Sequence, residues 1–164
     1  MSEETTSRRQ VMKAMTVGAI ALVLPAMSES QTPPQKPPPL AADLVKEFVI
    51  AAHHDFPRVQ EMLSAEPRLL NACWDWGGGD FETALEGAGH MGNHEIAKFL
   101  ISKGARMNIF QAAMLGHLDL VKATIQLHPE AAKSHGPHGI PLLAHAKAGG
   151  DQAKAVFEYL QNLS

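Results

Sequence analysis

Cysteine is nearly missing from this chain. Cys73 stands alone among 164 residues, so no internal disulfide can form, and a thiol-based framework is excluded. A lone thiol of this kind reads as buried and inert, free cysteine being among the most buried residue types. Basic excess is missing too: 14 Lys and Arg face 17 Asp and Glu, a formal net charge of −3. With no basic stripe, the chain offers no electrostatic footprint for nucleic acid. Long apolar runs are absent. The uncharged apolar run over residues 14–26 falls short of the roughly 20 residues that a permanent membrane span needs. Catalytic signatures are wanting as well. No Ser or Cys lies in a nucleophile motif, no Gly-rich loop follows a strand, and no acid pair is set for hydrolysis. The triple glycine Gly77-Gly78-Gly79 has no Lys-Ser/Thr after it, so it reads as a turn rather than a phosphate cradle. A non-enzyme is expected, without cofactor.

What is present begins with two special segments. Ser7-Arg8-Arg9-Gln10-Val11-Met12-Lys13 precedes the uncharged run, and paired arginines before a short apolar stretch resemble a twin-arginine export signal of bacteria. Small residues at Ala26 and Ser28 fit cleavage after Ser28. The expected division is a signal peptide over 1–28, a linker over 29–41 and one domain over 42–164. Residues 31–39 hold five prolines, a composition that favours extended polyproline geometry and cannot build a core. Losing the signal removes Arg8, Arg9 and Lys13 with Glu3 and Glu4, which takes the formal charge from −3 to −4. The resemblance implies a periplasmic or secreted protein with no membrane attachment after cleavage.

Repetition organises the remainder. Gly92-Asn93-His94-Glu95-Ile96-Ala97-Lys98 recurs as Gly116-His117-Leu118-Asp119-Leu120-Val121-Lys122, each copy behind an Ala-rich stretch. The phrase reads as helix, glycine turn, second helix: glycine takes the left-handed conformation, and acid in the following first turn suits the helix dipole. Aligning Asp55, Gly92, Gly116 and Gly149 gives spacings of 37, 24 and 33. Asp55 and Gly149 are expected to occupy the same turn position, Asp being a residue that tolerates a left-handed backbone. Paired helices are expected at 43–53 with 57–65, 83–91 with 94–102, 110–115 with 118–127, and 142–148 with 152–163. Ile96, Phe99, Leu100, Leu120, Val121 and Ile125 recur at helical spacing and are expected in the core.

The second unit resembles an ankyrin repeat. Thr83-Ala84-Leu85-Glu86-Gly87-Ala88 parallels the opening Thr-Pro-Leu-His-x-Ala of that family, and the stretch from Glu95 through Asn108 follows the rest of its pattern. Pro141-Leu142-Leu143 with Gly149, and Ala51-Ala52, mark weaker terminal units, as capping repeats are. The resemblance implies an all-α solenoid of about four helix-turn-helix units with irregular β-hairpin fingers. It departs from the family between units two and three, where Asn108 runs almost directly into Phe110 and a finger is missing. Residues 72–82 form a long finger and 133–139 another.

Fold and surface together point to protein binding. In ankyrin-type units the two positions before the turn lie on the inner helix, toward the concave side. Here these are His53-His54, His90-Met91, Met114-Leu115 and Lys147-Ala148. With the finger residues they form a stripe whose expected contact positions are His54, Trp74, Trp76, Phe81, His90, Met91, Met114 and Leu115, residue types favoured at interface centres. The expected assembly is a monomer that meets a protein partner, an exported redox enzyme being one class the export route suggests. The rival reading is a His-based metal-binding or delivery protein, since the chain holds nine histidines. Against it, His90 and His94 straddle the Gly92 turn, so helical facing does not apply, and the motif lacks the Glu or Cys companions that make a zinc site legible. No metal site is expected, and His117 reads as structural.

Overall fold

The computed structural model describes residues 36–163. The expected signal over 1–28, and the linker up to residue 35, lie outside the described residues; residues 36–41 have no regular structure. Eight α-helices and one two-stranded sheet follow among the described residues. Helix α1 is Ala42–Ala51, α2 Phe56–Ala65, α3 Ala84–His90, α4 His94–Ser102, α5 Ile109–Met114, α6 Leu118–Leu127, α7 Leu142–Ala148 and α8 Lys154–Gln161. Strands β1 (Cys73–Asp75) and β2 (Phe81–Thr83) pair antiparallel. None of these helices is long and apolar enough to cross a membrane.

Capping explains where most helices start. The Asp55 carboxylate accepts from the Arg58 amide at the head of α2, and the Asn93 side chain accepts from Ile96 N at the head of α4. Helices α3 and α5 begin in reciprocal capping boxes, Thr83 with Glu86 and Asn108 with Gln111. Such side chains satisfy amides that the first turn leaves without partners. Asn108 caps α5 directly, so the chain turns straight into the third helical pair, as the short spacing implies.

The helices pack as four hairpins, α1/α2, α3/α4, α5/α6 and α7/α8. Helix α1 lies on α3, α3 on α5 and α5 on α7. Helix α7 also meets α3. Two apolar clusters result. Phe48, Val59, Leu69, Leu85, Ile96 and Leu100 centre the first, and Val121, Ile125, Leu142, Val156 and Leu160 the second, with Met107 against both.

The turns show why the doubled phrase needs glycine. Gly92 and Gly116 have φ of 67° and 78°. A Cβ on Gly92 would collide with the Ala148 carbonyl oxygen, and one on Gly116 with that of Gln152. Conformation and space both exclude a side chain there. The other two aligned positions differ from expectation. Asp55 has φ −112° because it caps α2 instead of turning the chain, and Gly149 has φ −70°; Gly150, at φ 60°, makes the left-handed turn. Downstream, Gly150–Ala153 is a 3₁₀ turn, so α8 starts later than the pattern predicts.

Two core expectations are also corrected. Leu120 is 40% exposed while its neighbour Val121 is fully buried, because helical phase sends adjacent residues of α6 in different directions. Cys73 is exposed rather than buried, being on the outward side of β1. Burial of part of the thiol, with Glu86 and Glu82 near it, raises its pKa, so the thiolate is disfavoured.

Candidate metal centre

The long finger creates the site through strand alternation. Glu82 pairs across the hairpin with Trp74, and residues two apart share a face. Trp74, Trp76 and Glu82 therefore point the same way, inward, while Phe81 points out at 56% exposure and Glu82 is fully buried. The capping box on Thr83 pins the end of β2 and fixes where that carboxylate sits.

Burying a carboxylate costs several kcal/mol unless it is paired, and Glu82 is surrounded. Trp76 Nε1 donates to Oε2 at 2.8 Å and His90 Nε2 reaches Oε1 at 2.8 Å. His53 Nε2 lies 3.5 Å from Oε1, and His138 Nε2 3.4 Å from Oε2. Burial alone pushes the Glu82 pKa up. The hydrogen bonds from His90 and Trp76, and the charges of His53 and His90, outweigh it and hold the pKa below the ordinary carboxylate value. Glu82 is thus an anion within a ring of imidazoles.

Each histidine arrives from a different element. His53 follows α1, His90 ends α3, and His138 sits in the 3₁₀ turn Pro137–Gly139 of the second finger. The His53 and His90 ring centroids are 4.8 Å apart, and those of His90 and His138 5.4 Å. Outer contacts orient two of the rings. His53 Nδ1 lies 2.9 Å from the Val49 carbonyl oxygen; a carbonyl only accepts, so Nδ1 carries a proton and Nε2 is the nitrogen directed at the cluster. His138 Nδ1 is 2.9 Å from Asp80 Oδ2, and the His138 amide donates to Asp80 Oδ1 at 2.9 Å. Those bonds, the amide's foremost, keep Asp80 below the usual aspartate pKa against the opposing effect of burial. Carbonyl–imidazole and carboxylate–imidazole pairs of this type are what orient metal-ligating histidines.

Two backbone features were shaped around the cluster. His138 has φ 60° and ψ 19° and is the one non-glycine with positive φ among the described residues. Such a conformation costs on the order of 1 kcal/mol or more and persists where surrounding contacts dictate it; here the two hydrogen bonds to Asp80 supply them. Gly87, in α3, leaves space for His53: an added Cβ would lie 2.8 Å from the His53 Cε1.

One ligand atom each from His53, Glu82, His90 and His138 lie within 4.8 Å of one another. An ion bound at about 2.0–2.2 Å to each donor holds tetrahedral donors roughly 3.4 Å apart. The separations from Glu82 are 2.8 and 3.5 Å at Oε1, to His90 and His53, and 3.4 Å at Oε2, to His138, while the four donors together lie within 4.8 Å, so the side chains must draw in to close the shell. Three imidazoles with one carboxylate suit zinc, copper, nickel or ferrous iron rather than calcium or magnesium.

Comparisons with family models, curated proteins and solved structures found no match. The side chains themselves therefore carry the functional reading.

The positions expected to contact a protein partner are dispersed. Met114 is fully buried in the first core cluster, so it cannot face a partner, and Leu115 packs half-buried against the same cluster. Trp74 is half-buried beneath the Lys46 ammonium, 5.3 Å from its ring centroid. His90 is engaged by Glu82, with its side chain 8% exposed. Phe81 lines a separate hollow with Phe110 and His135. His54, Trp76 and Met91, with Ile50, do gather around one opening beside His53 and His138.

Each histidine pair weighed in the sequence is split. His90 joins the cluster while His94 Nε2 bonds the Gly149 carbonyl oxygen at 2.9 Å; His138 joins it while His135 stays exposed. His53 and Glu82 were missed as ligands. Inward alternation of Glu82 beside Trp74 and Trp76 was the available signal, an acid on the buried face of a strand. A further histidine, His145, is buried apart from the cluster. Burial lowers its pKa, and Nδ1 bonds the Pro141 carbonyl oxygen at 3.1 Å.

Proposed function

We propose that this protein is an ankyrin-type array that binds one divalent transition-metal ion, zinc first among the candidates, through His53, Glu82, His90 and His138. The four helical hairpins and the long finger support the array reading. One observation carries the metal reading: a fully buried glutamate anion collects three imidazoles from three other elements, two of them oriented by Val49 and Asp80. A metal-binding or delivery protein is the function this arrangement serves best.

Calorimetric titration of the purified protein with zinc tests it. Uptake of one equivalent is expected, abolished by His90→Ala and retained in His94→Ala and His135→Ala, since those histidines stand outside the shell. Absence of uptake by the unaltered protein overturns the metal reading. It leaves a second reading, a protein-binding surface at the same opening, favoured by the exposure of Met91 (55%), Ile50 (41%) and Trp76 (36%).

A further inference from the structure

The four ligands are unequally covered. Side-chain exposure rises from 0% at Glu82 to 8% at His90, 18% at His53 and 34% at His138. Glu82 and His90 thus form the floor of the centre, and His53 and His138 its upper edge. Above that edge lies a hollow of about 350 Å³ lined by Ile50, His53, His54, Trp76, Met91 and His138. The volume is within the range of small-ligand pockets. Four protein donors alone make the closed shell of a structural site, and such an ion takes a further ligand only by expanding its coordination on a side the protein leaves uncovered. Here that side, the exposed edge of His53 and His138, faces the hollow.

The lining sets the chemistry of what enters. A divalent ion held by three neutral imidazoles and one carboxylate keeps one net positive charge toward the hollow. Asp80 stands behind the far nitrogen of His138, and no carboxylate lines the hollow itself. An anionic oxygen donor is therefore favoured on the exposed side. Ile50, Trp76 and Met91 present exposed apolar surface, which favours an apolar body behind the charged head.

Resting on the metal reading above, we infer that the centre adds one further ligand on its exposed side, a small monocarboxylate with an apolar body lying against Ile50, Trp76 and Met91. No redox or covalent step is involved; the carboxylate oxygen adds beside the four protein donors.

Cobalt(II) substitution of the full chain, followed by visible absorption, tests this. Cobalt uptake is read first, then acetate and phenylacetate are titrated into the loaded protein. Both anions are expected to alter the cobalt bands saturably, phenylacetate at about tenfold lower concentration, as burial of part of a phenyl ring produces. In Ile50→Ala/Met91→Ala that ratio should fall toward one with cobalt affinity unchanged. Cobalt bands insensitive to both anions would show a closed shell and overturn the inference while the metal reading stands. Equal affinity of the unaltered protein for the two anions overturns the assignment of an apolar body. No cobalt uptake removes the metal reading and this inference together.

Discussion

Gly87 illustrates how much a single atom decides. It occupies a helix interior, where alanine is intrinsically better by about 1 kcal/mol, yet a Cβ would press into the His53 ring. That ring is held by its Nδ1 bond to Val49, so it cannot yield without leaving the cluster. Gly87→Ala is expected to weaken zinc binding by about tenfold or more, the scale on which groups that orient metal ligands act. Zinc calorimetry on the folded variant checks it, and unchanged affinity would remove Gly87 from the site. The same logic governs Glu82. In sequence it is an acid beside a triple glycine and an aromatic, easily read as finger decoration. Its role follows from lying on the inward face of β2, a fact that becomes visible only when the hairpin register is known.

At the scale of elements, apolar spacing and the repeated glycine turn carried most of the information. The bounds of α4, α6 and α7 match those expected, and the long finger is the hairpin that the unit pattern implied. These features depend on contacts between residues a few positions apart, and such contacts are written in order along the chain. Phase within a helix was less legible. Leu120 and Val121 are both apolar, but only one can face inward. Leu100→Ala, at a fully buried site in α4, should cost about 2–5 kcal/mol. Leu120→Ala, on the exposed side of α6, should cost less than about 1 kcal/mol. Denaturant unfolding of the two variants measures the contrast, and equal losses would contradict the packing of α6. Turn positions behaved similarly: Gly92 and Gly116 match expectation, while Gly149 yields its role to Gly150 because a 3₁₀ turn intervenes before α8.

For the molecule as a whole, the proposed metal ties the second finger to α1, α3 and the first finger, which already share the first apolar cluster. His53 belongs to the α1 end, Glu82 to the first finger, His90 to α3 and His138 to the second finger. The Asp80 to His138 bonds already tie the fingers together. A ligand that binds only the folded state stabilises it by mass action, about 2.7 kcal/mol when its concentration is a hundred times Kd. Zinc is therefore expected to raise the thermal midpoint in a concentration-dependent way, and a chelator to reverse it, with His90→Ala unresponsive to either. Differential scanning calorimetry reads the effect; an equal rise in His90→Ala would place the ion elsewhere.

Sequence alone determined the helical character, the paired organisation, the glycine turns at Gly92 and Gly116, and the short connection at Asn108. Each is a local matter of hydrogen bonding, backbone freedom or apolar spacing. Tertiary structure decided the rest. It placed Met114 in the core, turned Trp76 into a donor to Glu82, and divided His90 from His94 and His135 from His138. Most of all, it brought His53 and His138, 85 positions apart, to one buried carboxylate. Convergence of that kind depends on how a finger curves and how α1 sits on α3, and no short-range pattern encodes either.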